Sequence, residues 1–359
     1  MFYRETGQFK STYEADNQIF PILQDRIGIA CLLFVAFLVL PFCASEYVFT
    51  GILIPSLILA LAALGLNILT GYAGQLSLGS AAFMAVGAFS AYNFMARVPG
   101  MPLLLAFVLG GLCAAAVGIV FGLPSLRIRG FYLAAATLAT QFFVVWCLSH
   151  VPYFTNGSTT GVITVQKMSI LGYDFISAAS KYLLVLSIVC ILALLAKNML
   201  RSNTGRSWMA VRDMDVAAEV IGFRLMRTKL LAFAVSSFYC GVAGALYAYA
   251  ILGTVEQDTY SLDLSFKILF MIIIGGVGSI LGSFLGAAFI TLLPITLNTL
   301  THGWNNFSPQ WAISTSVASN LELMIFGALI IFFLIVEPHG LARLWQIAKE
   351  KLRLWPFPY

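Results

Sequence analysis

Long apolar runs separated by short polar breaks organise this chain, and their lengths suit a bilayer. Ten stretches predict membrane-spanning helices: 27–44, 51–69, 80–96, 103–123, 131–149, 182–196, 230–252, 264–275, 281–297 and 321–336. Most approach the roughly 20 residues needed to cross. Each must be helical, because hydrocarbon offers backbone N–H and C=O groups no other partner. The eighth stretch is short, so the pair 264–297 also reads as a broken or re-entrant helix. Two joints depart from plain loops: Gly71-Tyr72-Ala73-Gly74-Gln75-Leu76-Ser77-Leu78-Gly79 and Gly275-Gly276-Val277-Gly278-Ser279-Ile280-Leu281-Gly282. Neither holds a charge, and paired glycine interruptions mark discontinuous helices near a transport pathway. The expected fold class is therefore an all-α polytopic membrane protein of about ten helices. Residues 1–26 form an N-terminal segment, 27–336 the membrane domain and 337–359 a polar tail.

Composition agrees with the pattern. Hydrophobic residues make up 60% of the 359 and charged residues 10%, where a soluble globule carries about 25% charged. Residues 1–26 are polar and too long for a signal n-region, so 27–44 reads as a retained first span. Charge placement supplies an orientation. With ten spans, one side collects Arg4, Lys10, Arg26, Arg127, Arg129, seven Lys/Arg in 197–229, and Arg343, Lys349, Lys351 and Arg353. The other holds Arg97, Lys167 and Lys181, with Lys267 just inside a span. By the positive-inside rule both termini are expected in the cytoplasm. The net charge of +5 is thus spread over loops beside a membrane, and nucleic acid is not an expected partner.

Chemistry is sparse. The six cysteines sit in apolar spans or at their edges without a C-x-x-C pair, so neither a disulfide framework nor a zinc site is expected. His150, His302 and His339 lie far apart, and no metal or other cofactor is expected. No phosphate-cradling G-x-x-x-x-G-K-[ST] occurs. Acidic residues are missing from mid-span, where an ion-driven carrier places the group its ion titrates or pairs with. Asp213-x-Asp215 is the one candidate for an enzymatic cluster, and a solvated charge run explains it better. Asn67, Thr137, Thr140, Gln141 and other neutral polar groups supply what mid-span polarity there is.

The basic stretch 197–229 stands out. Val211, Met214, Ala218, Ile221 and Leu225 predict one apolar stripe on a helix, with charges of both signs elsewhere on it. Those acids favour a protein partner over a lipid surface. Small-residue spacing at Gly110, Ala114, Gly118 and Gly122, and at Gly278, Gly282 and Gly286, predicts close helix contacts. The outward loop 253–263 carries Glu256, Asp258 and Asp263 without a base; they are either solvated surface or a dock for a basic protein patch.

Several of these segments resemble a known family. Ala217-Ala218-x-x-x-Gly222 is similar to the coupling signature of ATP-binding-cassette permeases, with Val216 where glutamate is usual. More widely, Gly205-Arg206 through Arg212-Asp213, Lys229-Leu230-x-Ala232-Phe233 and Gly241-x-x-Gly244-x-Leu246-Tyr247-Ala248 resemble LivM-type permeases for branched-chain amino acids. Gly65-Leu66-Asn67 through Gly79, Leu126-Arg127-x-Arg129-Gly130-x-Tyr132, Gly275-Gly276-x-Gly278-Ser279 and Glu337-Pro338-x-Gly340-Leu341 extend the likeness over 51–345. The chain departs from the pattern at Asn156-Gly157, at Gln141 where an acid is common, and at Ser283 where proline is common.

The resemblance implies a transport subunit, not an enzyme, in a bacterial inner membrane. It implies a second permease of similar fold, two cytoplasmic ATPases and a periplasmic solute-binding protein as partners. Branched-chain amino acids are the implied solute, with urea or a short amide, or an ion-coupled carrier, as alternatives. Arg206, Arg212, Asp213, Ala217, Ala218, Glu219 and Gly222 are the expected ATPase contacts. Asn67, Tyr72, Gln75, Ser77 and Gln141 are expected to line the pathway, and Glu256, Asp258 and Asp263 to dock the binding protein.

Overall fold

The structure, a computed structural model, describes residues 11–12, 23–125, 131–157, 161–170, 173–307, 315–337 and 339–354. Arg4, Lys10, Arg127, Arg129 and Gly130, used above for orientation and for one family signature, lie outside these residues. Each of the ten predicted stretches coincides with helix. The first is α1 (Leu23–Phe34), a π turn and α2 (Leu40–Cys43); the second is α3 (Ile54–Asn67) with π turns Val48–Leu53 and Ile68–Tyr72 at its ends. Then come α4 (Ser80–Arg97), α5 (Leu103–Ser125), α6 (Phe131–His150) and, past the outer loop, α8 (Ala178–Arg201). The remainder are α11 (Leu225–Tyr247), α12 (Leu262–Gly275), α13 (Ile280–Phe307) and α14 (Thr315–Val336).

Among the described residues, seven helical stretches are long and apolar enough to cross a membrane. An eighth counts if Leu323–Val336 and Gly340–Lys351, bent by 53° at their break, form one span. The chain is thus a multi-pass helical membrane protein. Two of the expected spans fall short of that test: α4 is not apolar enough, and α12, at 14 residues, is about 21 Å long against a hydrocarbon layer of about 30 Å.

Helices α3, α4 and α5 pack around α11, and glycines let them approach. A side chain on Gly87 would strike the Gly241 backbone, one on Gly244 the Met84 backbone, and one on Gly110 the Gly87 carbonyl. Lipid tails are as apolar as leucine, so such close backbone packing replaces the hydrophobic drive of a soluble core. Helix α3 is buried on every side from Ile58 to Asn67, as a helix at the centre of a bundle must be. On its far side α12 and α13 form a hairpin in which Gly282 and Gly286 meet Gly275 and Met271.

The outer loops are tied to one another. After α7 (Pro152–Thr155), strand β1 (Ile163–Thr164) pairs antiparallel with β4 (Thr254–Val255), while β2 (Ser169–Ile170) pairs with β3 (Tyr173–Asp174).

The charged loop holds α9 (Asn203–Asp213) and α10 (Asp215–Val220). It corrects one expectation. A single stripe through Val211, Met214, Ala218, Ile221 and Leu225 does not form, because Met214 is extended (φ −158°, ψ 95°) and divides the segment into two helices. Val211 and Ala218 are buried, but Met214 is 68% and Ile221 77% exposed. Trp208, fully buried, anchors α9 by donating its indole N–H to the Thr228 carbonyl at 3.0 Å. The polar tail contains α15 (Gly340–Leu354), joined to the start of α1 by Lys349 and Asp25 at 2.9 Å.

Candidate transport site

Between α3 and α4 the chain leaves helical geometry over Ala73–Gly79, and its ends meet opposite ends of α12. Gly71 lies against Gly278, just beyond the last turn of α12. Ala81 donates its N–H to Ser265 Oγ at 2.9 Å, in the first turn of that helix. Ser265 and Gly275 are ten residues apart, about 15 Å along a helix. The extended segment therefore runs beside α12 at the depth of the spans. Irregular backbone at such depth is tolerated only where protein buries it or it lines a polar cavity.

Burial alternates along the segment: Ala73, Gln75, Ser77 and Gly79 are buried, and Gly74 and Leu76 are exposed, after a turn at Ala73 (φ −101°, ψ −3°) and Gly74 (φ +68°). Gln75 is only 3% exposed, yet neither its amide nitrogen nor its amide oxygen has a hydrogen-bond partner. The hydroxyl of Ser80, at the first position of α4, is also buried and unpartnered. Leaving a buried amide unsatisfied costs on the order of 1–3 kcal/mol; Thr70, Asn93 and Tyr249 each carry one such buried atom as well. Ser77 Oγ accepts the Gly79 N–H at 3.4 Å.

The other polar residues here serve structure. Gln141 closes the N-terminus of α4, for which Gly79 offers no side-chain cap. Its Oε1 accepts from the Ala82 N–H at 2.6 Å and from Ser265 Oγ at 3.3 Å, while its Nε2 donates to the Tyr260 carbonyl at 2.8 Å. An amide both accepts and donates, whereas an ionised acid would leave the Tyr260 carbonyl without that bond. Thr137 Oγ1 accepts the Leu78 N–H at 2.9 Å. Burial pushes the Tyr260 phenol well above its usual range, and its O–H donates to the Gly244 carbonyl at 3.1 Å.

At the opposite end the two glycine-rich breaks meet the charged loop. Asn67 Oδ1 accepts the Gly278 N–H, and its Nδ2 donates to the Ser279 carbonyl and to Ser283 Oγ, all at 2.8 Å. Ser283, the departure from a common proline, thus gains a partner. Arg212 Nη1 donates to the Gly71 carbonyl at 2.8 Å, and its Nε to Asp213 Oδ1 at 2.9 Å. The Tyr72 phenol lies beside this guanidinium and the Ile280 amide. The expected pathway set thus divides: Gln75 and Ser77 sit in the extended segment, Gln141 caps α4, and Asn67 and Tyr72 belong to the junction with Arg212.

The remaining expected residues lie at surfaces. Arg206, Asp213, Glu219 and Gly222 are exposed, Ala217 is half-buried and Ala218 buried. Gly222 ends α10 at φ +103°, with its N–H on the Glu219 carbonyl and the Phe223 N–H on that of Ala218, both at 3.0 Å; such a close favours glycine. Around it Met214, Val216, Val220 and Ile221 form an exposed apolar set, larger than a solvated helix end requires. Sequence reasoning put Met214 and Ile221 on one stripe with Val211 and Ala218, which the structure buries, and left Val216 and Val220 off it. On the outer side Asp258 and Asp263 are exposed, and Glu256 accepts from Thr259 Oγ1 at 2.8 Å. Among the described residues, no three His, Cys, Asp or Glu side chains gather where they could hold a metal ion.

Residues 48–334 match the family described as branched-chain amino acid transport system, permease component. The chain is 28% identical over 301 residues to the high-affinity branched-chain amino acid transport system permease protein LivM of Escherichia coli K12, covering 77% of this chain and 66% of that protein. It is 28% identical over 323 residues to the inner membrane ABC transporter permease protein YjfF of the same organism, covering 84% and 87%. A shorter likeness, 36% over 124 residues, covers 32% of this chain and 36% of the autoinducer 2 import system permease protein LsrC of Klebsiella pneumoniae. No solved structure matches the chain.

Proposed function

The chain belongs to the branched-chain amino acid transport system permease family, and on that premise we propose that it is one membrane subunit of an ATP-driven importer. It passes a branched-chain amino acid, or a related solute without net charge, across a bacterial inner membrane. The reading rests above all on Gln75: a buried amide with free donor and acceptor, on non-helical backbone at membrane depth. A carboxamide can pair with both an ammonium and a carboxylate. It holds no charge for a proton to titrate, which suits a transporter whose energy is delivered from elsewhere.

The source is an ATPase pair on the inner face. The exposed apolar residues Met214, Val216, Val220 and Ile221, with the exposed Glu219 next to them in α10, offer an apolar surface that suits a protein partner. A second permease of similar fold completes the pathway, and a periplasmic binding protein docks near Asp258 and Asp263. Solute choice is made mainly by that binding protein. A urea or short-amide importer is the second reading, since an uncharged amide site suits either solute.

Uptake of labelled leucine by vesicles holding the complete transporter tests this. ATP should be required, and Gln75→Ala should lower uptake about 5–10-fold, the worth of one buried hydrogen bond. Competition by excess urea but not by valine would favour the second reading. Uphill uptake by this chain alone in vesicles would overturn both.

A further inference from the structure

We propose that Arg212 is the positioning residue that carries movement of the α9–α10 pair to both glycine-rich breaks: its guanidinium reaches inward to the Gly71 carbonyl while the side chain stays 38% exposed. The proposal rests on the importer reading above and adds the internal route by which the inner-face helices reach the spans.

Three chain segments converge on this side chain. From α9 it reaches the Gly71 carbonyl at 2.8 Å, in the π turn Ile68–Tyr72 that ends α3. Its stem passes Gly74, where φ is +68° and a Cβ would stand 2.8 Å from Arg212 Cγ. Its Nη1 lies 3.8 Å from where a Cβ of Gly278 would be, at a residue with φ +80°. The first break is thus shaped around the stem of Arg212, and the second lies within ordinary contact of its guanidinium. Asp213 fixes the other edge of the fork, with Nε at 2.9 Å and Nη2 at 2.8 Å from one carboxylate oxygen. Lysine cannot hold a carboxylate and a carbonyl in that fixed plane.

Asn67 carries the link onward. It binds the Gly278 N–H and the Ser279 carbonyl, so a displacement of Gly71 moves the second break with the first. The π turn is a fitting element to displace, because such turns frequently occur at functional sites in helices. Here the Ala73 N–H reaches the Ile68 carbonyl at 3.2 Å, and the Gly71 carbonyl takes its bond from Arg212.

Two measurements test this, one of which does not depend on the solute. Hydrogen exchange of the purified chain should show the amides of residues 71–79 and 276–279 opening faster together in Arg212→Met. Trp208 fluorescence should meanwhile report an unchanged α9. Faster exchange confined to residues 203–222 would overturn the proposal. In the complete transporter, solute moved per ATP hydrolysed should fall by about tenfold in Arg212→Met, a coupling effect of ordinary size, with Arg212→Lys between the two. Loss of the ATPase on co-purification would instead make Arg212 a surface contact, and a parallel fall of uptake and hydrolysis would make it a structural cap; either result ends the proposal. Should the wild-type transporter prove independent of ATP, the importer reading fails while the exchange result still decides whether the link exists.

Discussion

Asn67 gives the clearest residue-scale case of a neutral side chain doing the work of a clamp. Its three hydrogen bonds, each 2.8 Å, join the end of α3 to the start of α13. Asn67→Ala leaves the Gly278 N–H and Ser283 without this partner, and should cost about 2–4 kcal/mol. The readout is a lower midpoint in thermal unfolding of the detergent-solubilised chain. Asn67→Asp keeps the acceptor for Gly278 but loses both donations, so it should fall with the alanine variant and not with wild type. The sequence marked Asn67, Gln75 and Gln141 as expected to line the pathway, yet it could not separate the satisfied from the unsatisfied. The partners of Asn67 stand 212 and 216 residues away, and that of Gln141 stands 119 away. Local pattern holds no record of such pairings, so Gln75 looked no different from its neighbours.

At the scale of elements, apolar run length located the helix in each of the ten stretches, because crossing hydrocarbon needs about 20 residues of apolar helix, although α12 has only 14. The α9–α10 pair escaped that rule. Its helices lie outside the long spans, where no such constraint applies, and one extended residue at Met214 rotated the second helix out of the expected stripe. Val220 and Ile221, 83% and 77% exposed, gained a surface position by that break. Val220→Asp with Ile221→Asp should therefore leave unfolding unchanged while abolishing co-purification of the ATPase; retained association would remove this face from the interface. The small-residue stripe of α5 that faces α11 was legible as spacing, and its energetic weight follows from geometry. Gly241 packs where a Cβ would meet Gly111 at 3.1 Å and Ala114 even closer. Gly241→Leu should force α5 and α11 apart, costing upwards of about 3 kcal/mol, seen as lost yield of folded protein in membranes.

For the whole molecule, the ion pair between Lys349 and Asp25, 324 residues apart, restricts the number of crossings. It puts the start of α1 and the helix α15 on one side, and Lys197 near the end of α8 is close enough to feel Asp25. Crossings from residue 25 to 197 must then be even in number, as must those from 197 to 349. Six helices followed by four satisfy both conditions if α4 and α12 cross with the rest, which is the ten-span reading we propose. Ser202→Cys should accordingly react with an impermeant maleimide only in inside-out vesicles, and Asp258→Cys only in right-side-out ones; any other labelling pattern refutes that topology. The shortfall of α4 has a further consequence for biogenesis. This helix is less apolar than the other long spans, and one of its two main neighbours, α11, is synthesised more than a hundred residues later. In a nascent chain α5, made directly after α4 and packed against it, is the partner at hand to shelter it until α11 emerges.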